Sequence, residues 1–74
     1  MKEIIVVCGT DRASRQFPTD ATVGDVVNDH NIRAILGYGD NVRALVGGVE
    51  IDFSTDAPAG ATIRVETKAN TKNN

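Results

Sequence analysis

Few side chains in this chain could carry covalent or metal chemistry. There is one cysteine, Cys8, and one histidine, His30. A thiol becomes a nucleophile when a nearby base or positive charge lowers its pKa. Cys8 closes the run Ile4-Ile5-Val6-Val7-Cys8, where alternation turns it inward beside Ile4 and Val6, so it reads as a small core hydrophobe. His30 could serve as a pH-sensitive or ligand-binding group. It continues the series Val23, Val26, Val27, which places it on the apolar face of a helix as a partly buried imidazole bonded to nearby backbone. One cysteine and one histidine cannot complete a four-ligand zinc site. The aspartates, Asp11, Asp20, Asp25, Asp29, Asp40, Asp52 and Asp56, are spread over turns and the helix surface, and Asp52 with Asp56 lacks the spacing of a calcium loop. With no nucleophile–base–orienter set and no phosphate-cradling glycine loop, the expectation is a protein that is not an enzyme and needs no cofactor, metal or small-molecule substrate.

Size and charge narrow the partners. A chain of 74 residues is one domain at most. Folding at this size buries only about 60% of the surface exposed by the unfolded chain. A single cysteine excludes an internal disulfide, so the core must be built from Ile, Val, Leu, Ala and two Phe. The net charge is −2 and the eight basic residues are scattered, without the basic stripe of a nucleic-acid binder. Three aromatics dispersed along the chain make no stacking platform. The apolar run Ile4 to Cys8 is too short for a signal-peptide core or a membrane span. A soluble cytoplasmic protein with no nucleic-acid or membrane partner is expected.

The elements that must position these residues follow from periodicity and punctuation. Lys2 to Cys8 is rich in β-branched residues and apolar on both faces, which predicts a central strand. Gly9-Thr10-Asp11 predicts a turn, and Arg12 to Phe17 a more polar edge strand ended by Pro18. Thr22 is the expected helix N-cap, with Asp25 at the capping-box position. One main helix should then run from Val23 through His30, held by packing because valines and Gly24 are poor helix formers. Ile32, Ile35 and Leu36 suggest a further short turn, and a second helix as long as the first is not expected. Val42–Val46 and Val49–Ile51 flank Gly47-Gly48, a strong hairpin signal. Thr62-Ile63-Arg64-Val65-Glu66 alternates strictly as a closing strand. The division expected is a domain over 1–67 and a flexible tail over 68–74.

The segments Ala21-Thr22-Val23-Gly24-Asp25-Val26-Val27, Leu45-Val46-Gly47-Gly48-Val49-Glu50 and Pro58-Ala59-Gly60-Ala61-Thr62-Ile63-Arg64-Val65 resemble those of the β-grasp (ubiquitin-like) superfamily. The likeness is strongest to its bacterial sulfur-carrier branch, which includes the molybdopterin synthase small subunit and the thiamine sulfur carrier. The resemblance implies an α+β fold: a mixed sheet of four or five strands, with one main helix packed across one face. The first and last strands should be parallel neighbours at the sheet centre. Carriers of that branch are activated at a C-terminal Gly-Gly, whereas this sequence reads Thr71-Lys72-Asn73-Asn74. A carrier or modifier role is therefore ranked second.

If Ile4, Val6, Val42, Ala44, Val46, Ile63 and Val65 face the helix, then Ile5, Val7, Arg43, Leu45, Arg64 and Glu66 face away. Apolar centres rimmed by charge suit a protein partner or self-association. The expected function is a non-enzymatic interaction or assembly module, such as an adaptor in a bacterial or phage system, acting through those six residues.

Overall fold

The computed structural model describes residues 1–68 of the 74. Five strands form one sheet: β1 (Lys2–Cys8), β2 (Asp11–Phe17), β3 (Val42–Val46), β4 (Val49–Ile51) and β5 (Thr62–Thr67). Their order across the sheet is β2-β1-β5-β3-β4. β1 and β5 are parallel, Ile5 opposite Thr62 and Val7 opposite Arg64, and the other pairings are antiparallel. The expected central parallel pair is present. Strand alternation decides the faces: Ile4, Val6, Ala44, Ile63 and Val65 are fully or almost fully buried on one side. Each Ile and Val side chain buried this way contributes about 1.5–3 kcal/mol, and the smaller Ala44 less.

Two short helices cover that side, α1 (Val23–Val27) and α2 (His30–Leu36). This corrects the expectation of one main helix through His30, and α2 is the longer of the two. The reason is local. Asn28 caps the end of α1, and the Asp29 side chain accepts a hydrogen bond from the Ile32 N–H at 3.0 Å, starting a new helix out of phase with the first. Asp and Asn compete with helical backbone bonds in this way and so favour caps over helix interiors. His30 becomes the first residue of α2 and is exposed, not on an apolar face.

The capping box at Thr22 and Asp25 is formed, with bonds of 3.1 and 3.0 Å. The next two N–H groups of α1 are taken by the segment after β4: Val23 donates to the Thr55 carbonyl and Gly24 to the Phe53 carbonyl, both at 2.8 Å. Phe53 lies so close that a Cβ on Gly24 would meet its carbonyl oxygen at 3.1 Å. Ala57 donates to the Ala21 carbonyl at 3.0 Å, and the buried Lys2 ammonium donates to the carbonyls of Ala21 (3.0 Å) and Ala57 (2.5 Å). The segment 52–57 is thus a strap tied to the start of α1. After β5, the Lys68 N–H donates to the Asn41 carbonyl at 2.9 Å. Apart from Lys68, the tail expected over 68–74 lies outside the described residues.

Candidate functional site

The side of the sheet away from the helices collects the six residues expected there. Strand register arranges them in rows. Arg12 pairs with Val7, Val7 with Arg64, Arg64 with Leu45, and Leu45 with Glu50, so one row crosses all five strands. Ile5 lies in the adjacent row between Ser14 and Thr62. Arg43 and Glu66 pair on the other side. Ile5, Val7 and Leu45 are half-buried, and Arg12, Arg43 and Arg64 are exposed.

Charge on this face is unevenly satisfied. The Arg43 guanidinium donates twice to one Glu66 oxygen, from Nε at 3.3 Å and Nη2 at 3.0 Å, and stands 4.0 Å from Glu50. Such an exposed cross-strand pair contributes about 0.2–1 kcal/mol. Arg43 is therefore held by carboxylates on two neighbouring strands. Arg12 and Arg64 meet no carboxylate among the described residues.

Two pockets border these elements, the first sharing Arg43 and Glu50 with the outer face. One, of about 260 Å³, has Val42, Ile51 and Phe53 with Arg43, Asp52 and Lys68 along its walls. The other, of about 350 Å³, lies between His30, Arg33 and Tyr38 on the helix side. Arg33 there is engaged by Asp40 at 2.5 Å. The Tyr38 hydroxyl donates to the Val27 carbonyl at 2.5 Å, and burial pushes its pKa up to about 12, opposed by Arg33 and reinforced by Cys8 and Asp29. Neither pocket unites a nucleophile with a base. Cys8 packs partly buried against the core, and no group of three metal-ligating side chains occurs among the described residues. Among the described residues, no helix is long and apolar enough to cross a membrane.

This five-stranded sheet with its two helices is similar in fold to solved structures. The H. volcanii small archaeal modifier protein 1 superimposes with a TM-score of 0.73 at 15% identity, over 93% of this chain and 100% of that one. The Caldiarchaeum subterraneum ubiquitin gives 0.71 at 18%, over 95% and 96%. The fold is the ubiquitin-like β-grasp. At such identities the likeness concerns architecture, and the chemistry must be argued from this chain's own residues. No protein-family model matches the sequence, and a search of curated proteins gives no match. Within this β-grasp, sequence reasoning found the outer face through period-two alternation. It missed Arg12 and Glu50, which join the face only because register sets them beside Val7 and Leu45. It also missed the buried Lys2, for which strand alternation was the available signal: position 2 shares the parity of Ile4 and Val6.

Proposed function

We propose that this chain is a non-enzymatic docking module that binds a protein partner through the outer sheet face around Ile5, Val7, Leu45 and Arg43. The observation that carries this reading is the clustering of three half-buried aliphatic side chains on the face opposite α1 and α2, with arginines beside them. Apolar centres with charged rims are the common anatomy of interfaces, and arginine is enriched in them. Introducing a charge at the centre tests it. Leu45→Glu should fold like the wild type by circular dichroism and lose the proteins that the wild type retains in pull-downs from the native host, identified by mass spectrometry. A variant that retains the same proteins would show that the face is wrongly assigned.

The likeness to an archaeal modifier and a ubiquitin favours a second reading, in which the chain is a sulfur carrier or a modifier activated at its C-terminus. Intact mass after incubation with host extract and ATP decides it. An adenylate, a thiocarboxylate or a conjugate at the C-terminus would put this reading first, and an unmodified chain would remove it.

A further inference from the structure

The sheet has a gap where β4 stops short of the start of β3. Asn41 turns its backbone toward β5, accepting the Lys68 N–H at 2.9 Å. Backbone groups alternate in direction along an antiparallel strand, so Val42 turns the other way, as do Ala44 and Val46, whose partners on β4 are Ile51 and Val49. The same register would set Phe53 opposite Val42, but β4 ends at Ile51. Phe53 is drawn off with the strap, where its carbonyl accepts the Gly24 N–H. The Val42 N–H and C=O therefore face the place of a missing strand residue, and neither is bonded to another of the described residues. Backbone groups at buried residues are almost always paired, with protein or with water.

The pocket of about 260 Å³ lies at that place, with Val42, Ile51 and Phe53 among its walls. Val42 is buried and the other two are half-buried, so the lining beside the open backbone is apolar. The charged side chains there are Arg43 and Lys68 against Glu50 and Asp52, two of each sign. Glu66, bonded to Arg43, further discourages an anion. A carboxylate cannot donate to the Val42 carbonyl, and an ammonium cannot accept from its N–H. A residue within a peptide chain does both.

We propose that this gap takes one residue of an extended, apolar, uncharged segment of another protein. Its N–H and C=O complete the pair with Val42, and its side chain is seated against Ile51 and Phe53. Main-chain bonds to open strand positions, with pockets for side chains, suffice to hold such a segment. The pocket borders the outer face at Arg43 and Glu50, but the proposal does not depend on the docking reading of that face.

A single blocked residue, N-acetyl-leucine N-methylamide, titrated into the ¹⁵N-labelled full chain tests it. In the free chain the Val42 N–H should exchange with deuterium about tenfold or more faster than the paired Ala44 N–H. The ligand should shift the Val42 and Phe53 amide resonances, with half-saturation at about 1 mM. The N-methylleucine analogue, which cannot donate to the Val42 carbonyl, should bind about tenfold more weakly. Slow exchange at Val42 in the free chain would show that its backbone is already paired and overturn the proposal. So would the absence of a Val42 shift up to about 20 mM ligand. Equal binding of the N-methylated analogue would reduce the gap to an apolar hollow, and tighter binding of the anionic N-acetyl-leucine would exclude an uncharged segment; either result overturns the proposal.

Discussion

Lys2→Met is the perturbation that most directly probes how the strap after β4 is held. Lys2 is 7% exposed, and its ammonium donates to the Ala57 carbonyl at 2.5 Å and the Ala21 carbonyl at 3.0 Å. Methionine keeps most of the aliphatic stem and removes both charge-assisted bonds. The two acceptors are affected unequally. The Ala21 carbonyl keeps the Ala57 N–H at 3.0 Å, while no other donor is seen for the Ala57 carbonyl among the described residues. A hydrogen bond to a charged group contributes about 1.5–3 kcal/mol net, and an abandoned buried acceptor costs about 1–3 kcal/mol. Removing an ammonium from a buried position returns part of its desolvation cost, which limits the loss. A destabilisation of about 2 kcal/mol is expected, because one acceptor is stranded and the other is not. Urea unfolding followed by circular dichroism measures it. With a slope of about 1 kcal/mol per molar, the midpoint should fall by about 2 M. Lys68→Met, at an exposed lysine, is the control and should move the midpoint by less than about 0.5 M. If Lys2→Met moved the midpoint no more than the control, the ammonium would not be holding the strap.

Gly24→Ala should destabilise despite the better helix propensity of alanine, about 1 kcal/mol in its favour. The new Cβ would stand 3.1 Å from the Phe53 carbonyl oxygen that already accepts the Gly24 N–H, so the strap must shift and weaken that bond. A rise in thermal midpoint would refute the close approach. Tyr38→Phe should cost about 1 kcal/mol by chemical unfolding, the value of the bond to the Val27 carbonyl. The same tyrosine sets an alkaline limit. Its folded pKa is about 12 against an ordinary 10.0, so the unfolded chain releases the proton first and stability falls as pH rises between those values. The wild type should lose stability across that window and Tyr38→Phe should lose less. Equal slopes would mean that Tyr38 is not the group responsible.

Much of this architecture was written locally. Alternation in Lys2–Cys8 and Thr62–Thr67 assigned buried and outward residues, because a strand's side chains alternate between faces whatever its neighbour is. Gly47 and Gly48 marked the β3–β4 hairpin and adopt φ of 60° and 82°, values that glycine reaches without strain. Thr22 and Asp25 marked the start of α1, since a capping box needs only residues three apart. The break between the helices was also local, at Asn28-Asp29, but the apolar spacing of Val23, Val26, Val27 and His30 masked it. Other features depended on segments distant in sequence. Lys2 reaches carbonyls 19 and 55 residues away, and Tyr38, just after α2, bonds to α1. The outer row is of the same kind. Arg12 and Arg64 flank Val7 only because β1 pairs antiparallel with β2 and parallel with β5, and Leu45 and Glu50 complete the row through β3 and β4. Periodicity can tell each strand which face is outward, but only pairing between strands determines which charges and aliphatic groups become neighbours.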